Sequence, residues 1–292
     1  MELIIQDFIE YLNSRQVSKN TLLSYERDIN QLSSYLKELD KKMFDVTESD
    51  LQGYIVYMQT VGKSSATISR CVASMKAFYR YLLKNKLVEK NIAEKLLAPK
   101  VEKKELSILS IGEVEKLLEQ PTQDDLKGQR DKAMLEVLYA TGIRVTELIS
   151  LNISDVNLNA GHLKVKKKNK ERIIPISNTA LKYLKVYVED VRPLLIKTEK
   201  EESLFINANG QKMTRQGFWK ILKQYKDQAK IEKELTPHTI RHSFAVHMLQ
   251  NGAELKSVQE LLGHTDVAST MMYTHVADMK IKDEYLKAHP RV

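Results

Sequence analysis

Apolar residues recur at intervals of three and four along most of this 292-residue chain, and only between Val156 and Ile176 does the interval drop to two. A stripe at the helical period must be buried against other helices, so the pattern confines the chain to a mainly α fold with one small β insertion. Phe8, Ile9 and Leu12 mark a first helix, and Leu22, Tyr25, Ile29, Leu32 and Leu36 a second. Thr47-Glu48-Ser49-Asp50 reads as a capping box opening a third, which carries Leu51, Tyr54, Ile55 and Met58. Ser64 or Ser65 caps a fourth, with Ile68, Val72, Met75, Tyr79 and Leu82 inward. Its other faces carry Lys63, Arg70, Lys76, Arg80 and Lys84, which suits either a solvated face or one that tracks phosphates.

The stretch from Ala98 to Glu105 is polar and contains Pro99, as a linker does. The expected organisation is a four-helix domain over 1–97, a linker over 98–106 and a second domain over 107–292. Ser110-Ile111-Gly112-Glu113 looks like a helix start, and a helix from Gln129 to Ala140 buries Met134, Leu135, Val137 and Leu138 before Gly142 closes it. Val156 and Leu158 precede a turn at Asn159-Ala160-Gly161; Leu163 and Val165 then alternate with lysines, and Ile173, Ile174 and Ile176 follow. These segments predict a small antiparallel three-stranded sheet with a hairpin tip at Lys166 to Lys170 and a strand end at Pro175. Thr214 caps a later helix whose inner face is Phe218, Ile221, Leu222 and Tyr225, opposite a basic stripe of Lys220, Lys223 and Lys226.

Charge narrows the class of partner. Lys and Arg total 46 against 38 Asp and Glu, a formal net charge of +8. The excess is spread: 15 basic against 12 acidic residues up to residue 100, and 31 against 26 beyond it. Such a balance suits a polyanion without identifying one. The single cysteine, Cys71, excludes an intrachain disulfide and a cysteine-rich zinc site. Neither a signal peptide nor a stretch of the roughly 20 apolar residues needed to span a membrane is visible, so a cytoplasmic protein with no membrane insertion is expected.

The reactive residues gather late. Thr236-Pro237 opens a helix whose first turn carries His238 and Arg241 on one face, where unpaired amides and the dipole attract a phosphate. Gly263 closes a helix bearing Leu255, Val258, Leu261 and Leu262, and the sharp turn it makes can aim His264 into a cleft. Tyr273 follows nine positions later, and Arg144 stands far upstream, just past Gly142. Two guanidinium forks can hold one phosphate and neutralise its growing charge without a metal. A phenol can then attack and carry the phosphate covalently, provided its proton is taken or nearby cations favour the phenolate. Each residue alone has a plainer reading: a surface histidine, or one packing tyrosine among 13. A histidine metal site at His238, His242 and His264 is disfavoured by the adjacent arginines, and His242 and His247 read as structural.

The stretches Leu138-Tyr139-Ala140-Thr141-Gly142-Ile143-Arg144-Val145-Thr146-Glu147-Leu148, Asn169-Lys170-Glu171-Arg172, Pro237-His238-Thr239-Ile240-Arg241-His242-Ser243-Phe244-Ala245, Leu261-Leu262-Gly263-His264 and Tyr273-Thr274-His275-Val276 together resemble the tyrosine recombinases. Within that family they resemble the Xer group, and the ending His289-Pro290-Arg291 its D-type more than its C-type. The resemblance runs the length of the chain. It implies a SAM-like N-terminal core-binding domain and a mostly helical catalytic domain. The implied catalytic set is Arg144, Lys167, His238, Arg241, His264 and the nucleophile Tyr273, with no cofactor and no metal. His238 is the base by analogy, and His264 donates to the scissile phosphate. The leaving 5′ oxygen takes a proton from a hairpin lysine; alignment on Asn169-Lys170-Glu171-Arg172 selects Lys167, with Lys166 and Lys168 as alternatives. Expected DNA contacts are Arg70, Lys76, Arg80, Lys166, Lys168, Lys170, Arg172, Arg215, Gln216 and Lys220. The implied reaction exchanges strands between two specific duplex sites through a 3′-phosphotyrosyl bond and a Holliday junction, in a homo- or hetero-tetramer. A related recombinase and a DNA translocase activator are candidate partners, and chromosome-dimer resolution the implied role. The alternatives are an integrase or resolvase of a mobile element, a type IB topoisomerase-like enzyme, and a DNA-binding regulator with a dead site. A tail from about residue 278, with Ile281, Tyr285 and Leu286 at helical spacing, is expected to dock on a neighbouring copy.

Overall fold

Side-chain caps mark where most of the longer helices begin. The structure is a computed structural model that describes residues 2–100, 106–167, 170–198, 200–263, 270, 271 and 273. Its contacts divide the chain into two units, Met1–Lys104 and Glu105–Val292. The first holds α1 (Glu2–Ser14), α2 (Lys19–Glu38), α3 (Glu48–Thr60) and α4 (Ser65–Lys84). Ser18 caps α2, Ser64 caps α4, and Thr47 with Asp50 forms a reciprocal capping box at α3. The apolar stripes converge on a core of Phe8, Ile29, Leu32, Leu36, Leu51, Met75, Phe78, Tyr79 and Leu82, all fully buried. The Tyr79 hydroxyl donates to the Met43 carbonyl at 3.1 Å, which satisfies its one polar atom inside that core.

The second unit is built around α6 (Leu126–Thr141), which follows α5 (Ile111–Glu119) and precedes the single turn α7 (Val145–Leu148). Ser110 and Glu113 box the start of α5. Helix α6 begins three residues ahead of the expected Gln129 because the Asp125 carboxylate accepts the Gly128 amide at 2.6 Å. Ala133, Met134, Leu135, Val137 and Leu138 lie in the core, so α6 is enclosed on several sides. After a 3₁₀ turn at Ile153–Asp155 come β1 (Val156–Asn157), β2 (His162–Lys167) and β3 (Lys170–Pro175), an antiparallel sheet in that order. Pairing continues past the expected tip, through Lys166↔Glu171 to Lys167↔Lys170. The opposite charges of Lys166 and Glu171 favour this extension. Leu163, Val165 and Ile174 face the core, while Ile173 points away and is 63% exposed.

Helix α8 (Asn178–Val186) passes through a π-helical turn at Tyr187–Val191 into α9 (Arg192–Leu195). Then follow α10 (Arg215–Gln228), α11 (Pro237–Gln250) and α12 (Leu255–Leu262), with Thr214 and Thr236 as the caps of α10 and α11. No helix among the described residues is long and apolar enough to cross a membrane.

One ionic contact joins α2 to α4 in the first unit. Asp28 is buried and accepts hydrogen bonds from Arg70 Nη1 at 2.5 Å and Ser74 Oγ at 2.7 Å; Arg70 also reaches the Ser24 carbonyl. Arg70, expected to face DNA, is therefore engaged within its own unit. Asp28→Ala removes a buried charge-assisted bond to Arg70 and leaves the Ser74 hydroxyl only the Arg70 carbonyl at 3.1 Å, so urea unfolding should show a loss of roughly 2 kcal/mol. A loss within about 0.5 kcal/mol, the ordinary range of surface changes, would show that the contact does not hold the helices together.

Candidate active site

The site is assembled from two helix C-termini. Gly142 closes α6 in the left-handed conformation (φ 58°), and a Cβ there would meet Phe244 Cδ1 at 2.2 Å. Glycine is required for both reasons. The chain then turns, so that Arg144 becomes the cap residue of α7 and its amide donates to Glu147 Oε2 at 2.8 Å. Glu147 is 9% exposed and also receives Arg172 Nη1 at 3.0 Å and Nη2 at 2.9 Å, a bidentate pair, with Arg144 Nη1 at 3.4 Å. Burial pushes the Glu147 carboxyl up, but the Arg172 bonds, the Arg144 amide and both guanidinium charges outweigh it and hold the group below the ordinary carboxylate range.

The second terminus is that of α12. Gly263 (φ 63°) turns the chain away and leaves the last carbonyls of the helix to side-chain donors. Arg172 Nε donates to the Leu261 carbonyl at 3.0 Å. The Leu262 carbonyl accepts from Arg241 Nη2 at 2.7 Å and Arg144 Nη1 at 3.4 Å. Arg241 Nη1 donates to the Gly142 carbonyl at 2.6 Å, so this buried guanidinium ties both termini together. Burial first, and then the Arg144 charge, lower Arg241 to about 10, which leaves it charged at neutral pH.

Tyr273 is helical, 2% exposed, and packed in a cluster with Phe244, Ala245, Val246, Val258 and Leu262. Its hydroxyl lies 2.9 Å from His242 Nδ1 and within hydrogen-bonding reach of Arg241. Burial raises the phenol above its usual value, and Arg241 and Arg144 offset only part of that rise. His238 shares the α11 face with Arg241 and His242 but sits at the solvent edge. Desolvation and then the charges of Arg241, Arg144 and Arg215 lower it, so it is a neutral imidazole at pH 7 with a lone pair to offer. Among the expected catalytic residues, Arg144, Arg241 and Tyr273 come together, with His238 on the same helix. His264 and the tail from 278 lie outside the described residues, as does Lys168; Lys167 and Lys170 are located by their backbone pairing.

The expected DNA contacts divide. Arg215, Gln216 and Lys220 line an open cleft of about 770 Å³ with Trp219 and His238. Arg80 is exposed on α4 and Lys76 is half-buried there, while Lys166 reaches Asp155 at 3.2 Å and is 58% exposed. Arg172 points inward, with its three guanidinium nitrogens on Glu147 and the Leu261 carbonyl. Strand alternation carried that signal, since Arg172 is two residues from the core-facing Ile174. Two further residues emerge only from the packing: Glu147, the counter-ion of Arg144 and Arg172, and His242, which among the described histidines touches Tyr273. His247 holds the Tyr139 hydroxyl through Nδ1 at 2.9 Å.

Residues 108–280 match the phage integrase family, and residues 5–86 match the phage integrase N-terminal SAM-like domain. The tyrosine recombinase XerD of Oceanobacillus iheyensis is 45% identical over 296 residues, covering 100% of this chain and 99% of that one. The tyrosine recombinase XerD of Staphylococcus epidermidis is 42% identical over 294 residues, covering 100% of both. Among solved structures, the XerH site-specific recombinase bound to palindromic difH substrate aligns with a TM-score of 0.75 at 22% identity, over 92% of this chain and 80% of that one.

Glu147→Ala leaves Arg144 and Arg172 beside each other in a largely desolvated site. Urea denaturation should register a loss of roughly 3 kcal/mol, the scale for removing one member of a buried pair. A loss below about 1 kcal/mol would show that the arginines are held without it.

Proposed function

The chain belongs to the phage integrase family of tyrosine recombinases, enzymes that cut and rejoin DNA at specific sites, and on that premise we propose that it resolves chromosome dimers by recombining two specific duplex sites. The observation that carries the chemistry is the meeting of two arginines and a buried tyrosine at one point: Arg144 and Arg241 share the Leu262 carbonyl, and Arg241 reaches the Tyr273 hydroxyl. In this reading the scissile phosphate replaces the carbonyl contacts as the partner of the two forks. Their charge meets the negative charge that develops on the phosphoryl oxygens. The Tyr273 oxygen attacks phosphorus, the bond to the 5′ oxygen breaks, and the DNA is left as a 3′-phosphotyrosyl ester with a 5′ hydroxyl. A 5′ hydroxyl from the partner duplex reverses the bond, so the phosphoester energy is kept within the covalent intermediate.

His238, neutral at pH 7, takes the phenolic proton; His264 donates to a phosphoryl oxygen; and Lys167 protonates the leaving 5′ oxygen. Arg215, Gln216 and Lys220 hold the backbone beside the scissile step, and Lys76 and Arg80 on α4 hold it elsewhere. Four protomers on two sites exchange strands in pairs, as one recombinase or as two related ones. The high identity of XerD relatives over their whole length supports this role above that of a mobile-element integrase.

Tyr273→Phe should abolish the covalent adduct on a nicked suicide duplex while leaving DNA affinity within about threefold, because phosphate contacts carry the binding. An adduct formed by the Phe variant would place the nucleophile elsewhere. With arginines neutralising the charge, EDTA should leave the rate of adduct formation unchanged; inhibition reversed by a divalent cation would overturn the arginine mechanism.

A further inference from the structure

We propose that His242 is a positioning residue for the nucleophile: its Nδ1 accepts the hydrogen bond of the Tyr273 hydroxyl and seats the phenol oxygen against Arg241. The inference rests on the reading of Tyr273 as the nucleophile. His242 lies four residues after His238 and directly after Arg241, on the helix that also carries the Arg241 anchor to both glycine-closed termini. The two atoms are 2.9 Å apart, and the imidazole and phenol rings meet at 5.5 Å between centroids, tilted by 49°.

The direction of the bond follows from the surroundings. Burial, and then the neighbouring His238 and Arg241, lower His242 to about 4, so its ring is neutral at pH 7. Arg241 offers only donors, so at the phenol oxygen it takes an acceptor lone pair. In the resting site the phenolic proton is then directed to Nδ1 of His242, an acceptor 2.9 Å away, with the other ring nitrogen carrying the imidazole hydrogen; on attack it leaves to His238, the base of the proposed reaction. One donor bond and one acceptor bond at a single oxygen fix both the rotation of the hydroxyl and the place of the ring. Without the first, the phenol keeps its apolar cluster of Phe244, Val258 and Leu262 but loses the contact that aims its oxygen. Misplacement on the scale of 1 Å slows a bond-forming step far more than it weakens binding.

The test compares His242→Asn, His242→Gln and His242→Leu with the wild type and Tyr273→Phe. Two quantities are read for each: the single-turnover rate of adduct formation on a nicked suicide duplex at saturating protein, and the affinity for the unnicked duplex. An asparagine oxygen falls close to the place of Nδ1, whereas a glutamine oxygen falls nearer Nε2. Asn should stay within about threefold of the wild-type rate, while Gln and Leu fall by about tenfold to a hundredfold with affinity unchanged within about twofold. If Leu fails to fold and loses affinity, the contrast between Asn and Gln still decides. Equal rates for Asn and Gln, or rate losses that merely follow affinity, would overturn the positioning role. A wild-type protein that forms no Tyr273-dependent adduct would overturn the functional reading itself, an outcome distinct from equal rates among active variants.

Discussion

The candidate site depends on the last two carbonyls of α12, which the glycine cap at Gly263 leaves open. Gly263 turns the chain away from α12, and the Leu261 and Leu262 carbonyls accept hydrogen bonds from three arginines instead. Those carbonyls carry the negative end of the helix dipole, so a cationic partner there is favoured. The arrangement answers a basic difficulty. Two guanidiniums held this close together repel one another. Backbone dipoles from Gly142 and Leu262, together with the carboxylate of Glu147, hold them close without a mobile counter-ion.

That framework also governs protonation. The removal of water, then the Arg241 charge beside both rings and the Arg144 charge beside His238, keep His238 and His242 neutral. Burial raises the Tyr273 phenol more strongly than the arginines lower it. The resting site therefore combines fixed positive charge with three neutral titratable groups. It suits an anion and holds the Tyr273 phenol protonated. Any anion bound between the arginines would offset their charge and make a positive imidazole easier to form.

Much of this was legible beforehand, for local reasons. Helix stripes, the caps at Thr47, Ser110, Thr214 and Thr236, and the glycines at 142 and 263 are short-range signals that act within one or two turns. The residues alternating with lysines announced β2, although the ladder runs further, through Lys166↔Glu171 to Lys167↔Lys170, than the tip implied. Arg172 is expected among the DNA contacts, yet its parity with Ile174 turns it inward onto Glu147.

The sequence by itself determined a mainly helical chain with one small sheet, and which arginines follow which helix ends. Each of these is a matter of period, cap chemistry or backbone conformation within a few residues. Only the tertiary structure decided that Glu147 neutralises Arg172 across 25 positions, that Arg241 meets the Gly142 carbonyl across 99, and that His242 is the histidine on the Tyr273 hydroxyl. His238 and His242 stand one helical turn apart and are chemically identical. What separates them is which one the packing of Tyr273 against α11 brings within 2.9 Å, and no local pattern contains that distance.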